Sequence, residues 1–327
     1  MEEDKPIFEN RIELSELAEA LEKIKSELGK IVFGQDKVLE LLFIGLLCDG
    51  HILMEGVPGV GKTLSSKLLA KALDISFQRI QFTPDLMPSD ILGTSIFNSK
   101  TLEFEYKPGP IFKNYILIDE INRSPAKTQA ALFELMEEKQ VTIDGCTYPM
   151  KEPFIVVATQ NPVEQEGTYR LPEAQLDRFL FKIIVNYPHA DAELGMLRKF
   201  NSNGLVELLP EISKIISGDE IVSLRATVKS VRIDDNLLQF IGSIVQNSRS
   251  HRHLDLGASP RAAIALMNAA KGFAAIRGRD FVTPDDIKSV GLAVLGHRVI
   301  LRPEAEIEAL TAHEIIEDLF KSIEVPR

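Results

Sequence analysis

The sequence contains few cysteines, no long hydrophobic run and no excess of basic residues. Cys48 and Cys146 are the only cysteines and lie far apart, which argues against a disulfide framework or a cysteine-based metal site. This usage fits a reducing compartment. Residues 1–10 carry acidic side chains and no apolar signal region. Because a secretory signal needs such a region, we expect a cytoplasmic protein.

The most apolar stretch and the charge balance argue against two further classes. Residues 38–48 are interrupted by Glu40 and are much shorter than the roughly 20 residues of a membrane span. They therefore predict a buried helix and no membrane span. The 37 basic and 48 acidic residues give a net charge of -11 and a pI near 5.2. Such a chain is poorly suited to neutralising nucleic-acid phosphates, although the composition leaves room for a local basic patch.

The apolar runs predict an α/β fold. Five of them have the length of buried strands, at residues 51–55, 75–81, 115–118, 154–159 and 181–185. Segments with helical periodicity separate most of these runs. This alternation is typical of a parallel sheet covered by helices on both faces. Residues 101–112 and 141–150 interrupt this alternation. We predict that both are inserted β-hairpins, the second with Asp144-Gly145 at its turn.

A change of pattern near residue 188 predicts a second, smaller domain. A chain of 327 residues is long enough for two domains. The later part has little strand signal, and five helices are predicted at 191–200, 219–229, 234–248, 260–277 and 283–295. Asp234 and Thr283 are suitable N-caps for two of them. The predicted division is an N-terminal helical segment at 1–30, an α/β core at 31–189 and an α-helical domain at 190–327.

Residues 56–63 fit the phosphate-binding loop pattern G-x-x-x-x-G-K-[ST]. The motif lies between a predicted strand and a predicted helix, which is the context it requires. Its glycines allow backbone N–H groups to turn toward an anion, and the following helix adds the positive end of its dipole. Lys62 would contact the β and γ phosphates, and the Thr63 hydroxyl would ligate Mg²⁺. The residues predicted to bind nucleotide here are Gly56, Val57, Pro58, Gly59, Val60, Gly61, Lys62, Thr63 and Leu64.

Two carboxylates follow the predicted strand at 115–118. Asp119 would hold the water shell of Mg²⁺, and Glu120 would orient and deprotonate the attacking water. An acid pair at a strand end also occurs simply as a solvated loop, but the phosphate loop upstream argues against that interpretation. The second acid also argues against a small-molecule kinase or a small GTPase, which need no such carboxylate.

Three further polar residues are candidates for the site. Asn161 follows a predicted strand and could hold the lytic water or the γ-phosphate, because ligands lie at strand carboxyl ends in parallel sheets. Arg178 and Arg261 carry guanidinium groups of the kind that stabilise charge on a transferring phosphoryl group. Each has a simpler alternative: asparagine before proline is a common turn residue, and a single arginine is more often a surface ion pair or a solvated first-turn residue.

The order of these motifs resembles that of the AAA+ ATPases, and their sequences resemble the MoxR family. The strings that carry the resemblance are GVPGVGKT (56–63), QFTPDLMPSDILG (81–93), IDEINRSP (118–125), ATQNP (158–162), LPEAQLDRF (171–179) and GASPRAAIAL (257–266). The likeness runs from about residue 31 to residue 301. It implies a P-loop core with a parallel five-stranded sheet, followed by an α-helical lid domain.

The resemblance also implies roles for individual residues. Asn161 matches sensor 1, Arg178 matches the arginine finger that acts on a neighbouring subunit, and Arg261 matches sensor 2, which contacts the nucleotide. Gly34-Gln35 matches the box that lies against adenine. Members of the family use ATP and Mg²⁺, form rings that are usually hexameric, and are thought to be chaperone-like remodellers. They often act with partners that contain a von Willebrand factor A domain.

We therefore expect an ATP-hydrolysing, ring-forming remodeller of partner proteins, with the hairpins facing the pore or the client. One alternative is a nucleic-acid motor or loader of the same superfamily, which DNA-stimulated ATPase activity would favour. The other is a nucleotide switch that serves as a scaffold without hydrolysis. The intact Asp119-Glu120 pair argues against a switch, and a phosphate-release assay distinguishes the two.

Overall fold

The computed structural model describes residues 14–162, 168–169, 171–202 and 212–325. The predictions for residues 1–13, for 203–211 and for the last two residues lie outside this part of the chain. The strands of the α/β part are β1 (His51–Glu55), β2 (Phe77–Gln81), β3 (Gly93–Asn98), β4 (Glu103–Pro108), β5 (Tyr115–Asp119), β6 (Gln140–Ile143), β7 (Cys146–Pro149), β8 (Ile155–Gln160) and β9 (Phe179–Ile184).

Five of these strands form one parallel sheet in the spatial order β2, β5, β8, β1, β9. Every residue of β5 and the first five residues of β8 are buried, because helices cover both faces of the sheet. The predicted α/β fold with a five-stranded parallel sheet is confirmed. The strand ends shift slightly: β2 begins at Phe77 rather than at residue 75, and β9 begins at Phe179 rather than at residue 181.

The five helices predicted in the later part of the chain are present, and two helices that were not predicted follow them. The helices of the described chain are α1 (Ser15–Leu28), α2 (Asp36–Leu47), α3 (Lys62–Ala72), α4 (Pro88–Leu92), α5 (Ala126–Glu138), α6 (Glu173–Leu176), α7 (Ala190–Ser202), α8 (Gly218–Lys229), α9 (Asp235–Ser250), α10 (Pro260–Ile276), α11 (Pro284–Leu295), α12 (Pro303–Ile307) and α13 (Ala312–Ser322). Asp234 caps α9 by accepting a hydrogen bond from the backbone N–H of Asn236. Thr283 caps α11 in a capping box with Asp286.

The two hairpins differ in how well the sequence predicted them. β6 and β7 meet at Asp144-Gly145, where both residues have positive φ angles of 51° and 80°, as a tight primed turn requires. The first hairpin was placed wrongly. It is formed by β3 and β4 rather than by residues 101–112, and it begins at Gly93. Ile96 and Phe97 are adjacent apolar residues that are both about half exposed, so β3 lacks the alternation that identifies a strand.

The helical part packs directly on the α/β part. Buried residues of α9, α10 and α11 belong to the same hydrophobic cluster as the residues of α2 and β1. Two short strands, β10 (Leu254–Leu256) and β11 (Ile300–Leu301), pair antiparallel within this part; they were not predicted, because such short strands have no measurable periodicity. β9 ends at Ile184 and α7 begins at Ala190. The division of the chain at residues 30 and 189 stays a prediction.

Helix α1 belongs to the folded core. Leu17, Leu21, Ile24 and Leu28 are each no more than 1% exposed, and their spacing of four, three and four residues places them on one face. The helix contacts α2, α3 and α10. Across the described part of the chain, no helix is long and apolar enough to span a membrane.

Candidate nucleotide site

The phosphate loop connects β1 to α3, as its motif predicts. Gly59 and Gly61 have φ angles of +86° and +87°, which disfavour residues with a side chain. A Cβ atom added to either glycine would meet nothing within 4 Å, so the space beside the loop is open to a ligand. The Lys62 ammonium donates to the backbone carbonyls of Gly56 and Val57, the latter at 3.3 Å. The loop therefore holds its lysine close to its own backbone.

Asp119 is the buried acid of the site. Its side chain is 7% exposed and accepts a hydrogen bond from the Thr159 hydroxyl at 3.0 Å. The Thr63 hydroxyl lies 3.3 and 3.4 Å from its two carboxylate oxygens. Arg79 Nε lies 2.5 Å from Oδ2 of the same carboxylate. Asp119 is thus held by groups from three elements, α3, β2 and β8.

Glu120 lies beside Asp119 in a left-handed backbone conformation, with φ +59°. Such a conformation is uncommon for a residue other than glycine and is often found at functional sites. Its backbone N–H donates to the Thr159 hydroxyl at 3.0 Å. Its carboxylate accepts from Gln81 Nε2 at 2.7 Å and pairs with Arg123 Nε at 3.1 Å. The carboxylate is one-third exposed, which leaves it open to the cavity.

These groups line one cavity of about 350 Å³ at the carboxyl ends of the strands. Its lining residues are Pro58, Gly59, Gly61, Lys62, Thr63, Leu64, Arg79, Gln81, Asp119, Glu120, Thr159, Gln160 and Asn161. The structure therefore brings most of the predicted loop together with both acids and Asn161. A hydroxyl and a carboxylate oxygen are ligands that suit Mg²⁺, so Thr63 and Asp119 fit a magnesium site.

Gly34 and Gln35 lie close to the loop but not among the residues that line this cavity. Gln35 is buried and its Nε2 donates to the carbonyl of Val60 at 3.1 Å. Gly34 has a φ angle of +68°, and a Cβ atom there would lie 3.0 Å from the Cβ of Ala192. Both residues therefore connect the start of α2 with the phosphate loop and with α7.

Arg178 and Arg261 are not at this cavity. Both pair with the carboxylate of Glu137, Arg178 at 3.3 Å and Arg261 at 3.1 Å. Glu137 follows Met136, whose carbonyl contacts His51 Nε2 at 3.0 Å at the first residue of β1. The phosphate loop follows the other end of β1, roughly 15 Å away for a five-residue strand. The two arginines thus share one acid at the amino-terminal edge of the sheet, away from the phosphate loop of their own chain.

Asp177 connects this arginine pair to the helical part. Its Oδ1 accepts from Arg298 Nε at 2.7 Å, and its Oδ2 accepts from the hydroxyl of Ser259 at 2.9 Å. Arg298 is buried, and burial lowers its pKa while Asp177 counteracts that effect. Asp177 directly precedes Arg178, and Ser259 lies two residues before Arg261.

Four residues that line the cavity were not predicted as site residues: Arg79, Gln81, Thr159 and Gln160. Arg79 and Gln81 are alternate residues at the carboxyl end of β2, so their side chains share one face of the sheet. Thr159 lies just before Gln160 and Asn161 at the end of β8. A search for polar side chains in the last positions of each predicted strand, and in the residue that follows it, would have found all four.

Comparisons with known proteins agree with this geometry. Residues 51–181 match the family described as ATPase family associated with various cellular activities (AAA), and residues 246–319 match the AAA lid domain. The chain is 40% identical to Chaperone MoxR1 of Mycobacterium tuberculosis, over 94% of this chain and 82% of that protein. It is 27% identical to Protein MoxR of Methylorubrum extorquens, over 96% of this chain and 97% of that protein.

A solved structure from Cytophaga hutchinsonii, of a protein assigned as an ATPase, is also similar. It is 45% identical and has a TM-score of 0.88, over 96% of this chain and 97% of that one. Sequence and fold thus agree along nearly the whole chain. The protein belongs to the MoxR family of AAA+ ATPases.

Proposed function

We propose that this protein binds ATP with Mg²⁺ and hydrolyses it to ADP and phosphate. The observation that carries the proposal is the convergence of Lys62, Thr63, Asp119 and Glu120 on one cavity at the carboxyl edge of the sheet. Family membership supports nucleotide binding independently. The position of Glu120 in the cavity beside the buried Asp119 argues against a scaffold without hydrolysis.

The side chains divide the chemistry between them. Lys62 and the loop N–H groups bind the phosphates, and Thr63 and Asp119 hold Mg²⁺, which neutralises charge on the phosphate oxygens when bound. Glu120 orients the attacking water and takes its proton. Asn161, which is buried at the end of β8 and lines the cavity, positions the water or the γ-phosphate. The residues from Gly56 to Leu64 bind the phosphates, and Gly34 and Gln35 lie against the adenine.

We propose that Arg178 and Arg261 act on the nucleotide of a neighbouring subunit in a ring. By resemblance to the family, we propose that this ring is a hexamer. Arg178 and Arg261 share Glu137 at the edge of the sheet opposite the phosphate loop, so neither reaches the nucleotide of its own chain without a large movement. A guanidinium supplied by another subunit can stabilise the charge that develops during phosphoryl transfer. For Arg261, this geometry favours a role between subunits over contact with the nucleotide of its own chain.

We further propose that ATP turnover drives the remodelling of partner proteins in the cytoplasm. The support is the name of the relative Chaperone MoxR1, together with the exposed hairpins of the α/β part. Phe97 and Phe104 form an exposed aromatic pair on the first hairpin, with ring centroids 5.3 Å apart. A client protein, or a partner with a von Willebrand factor A domain, would contact this face.

The experiment that tests hydrolysis compares three variants with the wild type. Glu120→Gln keeps the shape of the side chain but removes the base, so ATP should bind while turnover falls by about 10²-fold or more. Lys62→Ala should weaken nucleotide binding itself. Glu134→Gln, on the exposed surface of α5, should change neither and serves as the control. Binding is measured with a fluorescent ATP analogue and turnover by phosphate release. Wild-type turnover in Glu120→Gln would show that Glu120 is not the base.

A further inference from the structure

Arg79 carries a second cation into the site, beside the acid that is expected to hold Mg²⁺. Arg79 and Gln81 lie on the edge strand β2, where Gln81 is paired in register with Asp119 of β5. Arg79 Nε contacts Asp119 Oδ2 at 2.5 Å, and its Nη2 donates to Gln81 Oε1 at 3.2 Å. The guanidinium is therefore held by two hydrogen bonds, one from Nε and one from Nη2.

The two oxygens of Asp119 have different surroundings. Oδ1 accepts from Thr159 at 3.0 Å, and Oδ2 is the oxygen that Arg79 contacts. The Thr63 hydroxyl lies near both oxygens, at 3.3 Å from Oδ2 and 3.4 Å from Oδ1. A divalent cation held between Thr63 and the Asp119 carboxylate would thus share this carboxylate with the guanidinium. Two cations at one carboxylate repel each other, and water screens this repulsion less where the carboxylate is buried.

The exposure of the two side chains indicates that the guanidinium moves when a metal ion enters. The Arg79 side chain is 53% exposed, whereas the Asp119 side chain is only 7% exposed. The guanidinium can therefore turn into water at small cost, while the carboxylate cannot leave the site. In the absence of metal, the same contact neutralises a buried carboxylate that would otherwise repel the phosphates.

We propose that Arg79 is a positioning residue that takes the place of the metal at Asp119 and is displaced when Mg²⁺ enters with the nucleotide. It rests on the proposed function, since it assumes a magnesium nucleotide in this cavity. Arg79 thereby lowers the contribution that Mg²⁺ makes to nucleotide affinity. The rival role for Arg79 is that of a direct phosphate ligand, and the two roles differ in their dependence on metal.

The experiment measures binding of fluorescent ADP to the full chain, in excess Mg²⁺ and in EDTA, so that turnover does not interfere. Arg79→Met should bind ADP in Mg²⁺ at least as tightly as the wild type, because the metal no longer competes with a guanidinium. In EDTA it should bind more weakly, because Asp119 is then unneutralised. The dissociation constant in EDTA divided by that in Mg²⁺ should therefore be about tenfold larger in Arg79→Met than in the wild type. A tenfold change is the effect of a single charge interaction of modest strength.

Two control variants test whether the effect comes from the positive charge at position 79, from the shape of the side chain or from the net charge of the protein. Arg79→Lys keeps the positive charge and should hold the ratio within about threefold of the wild type. Arg232→Met removes a positive charge from an exposed ion pair with Asp280, 3.1 Å long and outside the site, and should leave the ratio unchanged. Arg79→Gln replaces the methionine variant where that variant is unstable.

The outcomes distinguish this inference from the proposed function. Equal weakening of Arg79→Met in Mg²⁺ and in EDTA would identify a phosphate ligand and overturn the inference, as would a ratio within twofold of the wild type. Absence of ADP binding to the wild-type protein would overturn the proposed function itself. A second readout uses no nucleotide: electron paramagnetic resonance of Mn²⁺ should show tighter metal binding by Arg79→Met than by the wild type, and equal binding would contradict displacement.

Discussion

The ion pair between Asp177 and Arg298 is expected to stabilise the packing of the helical part on the α/β part. The two side chains are 18% and 3% exposed, and Arg298 also donates to the carbonyls of Phe179 at 2.6 Å and Leu180 at 3.1 Å. Asp177→Ala leaves this buried guanidinium without a carboxylate. Removing one partner of a buried pair costs about 3–5 kcal/mol of unfolding free energy.

Two further variants calibrate this value. Asp177→Asn keeps an oxygen that can accept from Arg298 but removes the charge, so it should cost about 1–3 kcal/mol. Glu317→Ala removes a half-exposed acid that pairs with Lys321 at 3.4 Å in α13, and it should cost less than about 1 kcal/mol. The free energies are measured by urea unfolding followed by circular dichroism.

The same variants test a functional consequence. Asp177 precedes Arg178, and its other oxygen accepts from Ser259 at the start of α10. Loss of the carboxylate should therefore reduce ATP turnover more than it reduces ATP binding. If Asp177→Ala destabilises the protein no more than Glu317→Ala does, the buried pair does not hold the two parts together and the argument fails.

Two further predictions concern the arginine pair and pH. Arg178→Ala and Lys62→Ala should each lose most turnover, by about 10³-fold or more for the arginine, and mixing them should partly restore phosphate release because an intact loop then meets an intact arginine. Mixed assemblies, identified by native mass spectrometry, that stay inactive would rule out action between subunits. Burial lowers the pKa of His51 from 6.5 to about 4, and its ring nitrogens bond to the backbone of Val156 and Met136. The unfolded chain therefore binds the proton first, so His51 alone should lower the unfolding free energy by on the order of 3 kcal/mol as pH drops from about 6.5 to 4. Burial also lowers the pKa of His297, which should add to this fall. The unfolding free energy, measured by urea unfolding at several pH values, should depend less steeply on pH in His51→Gln than in the wild type. An equal dependence on pH would contradict the assignment.

The sequence predicts the sheet well because its information is local. Each buried strand is a short apolar run, and the phosphate loop and the acid pair each follow such a run directly. The hairpin of β6 and β7 was also predicted, since Asp144-Gly145 is a turn signal in itself. The hairpin of β3 and β4 was misplaced because both of its apolar side chains in β3 are half exposed, so no alternation marks the strand.

Contacts between distant residues account for what was missed. Arg79 contacts Asp119 only because β2 lies next to β5 in the sheet. The order of strands in the sheet cannot be predicted from the sequence of either strand alone. Glu137 brings Arg178 and Arg261 together although the two arginines belong to different parts of the chain. Residue type and spacing identified both arginines as candidates, but their shared partner depends on the approach of the start of α10 to the end of α5.

The buried face of α1 has a consequence for shortened versions of this protein. Full burial of a leucine or isoleucine side chain contributes about 1.5–3 kcal/mol, so its four buried residues represent roughly 6–12 kcal/mol by the same principle. That is comparable to the net stability of a typical domain, about 5–15 kcal/mol. Deleting residues 15–28 would thus remove a stability contribution as large as the whole margin against unfolding. A loss of activity in such a deletion would report unfolding of the ATPase rather than loss of a docking segment.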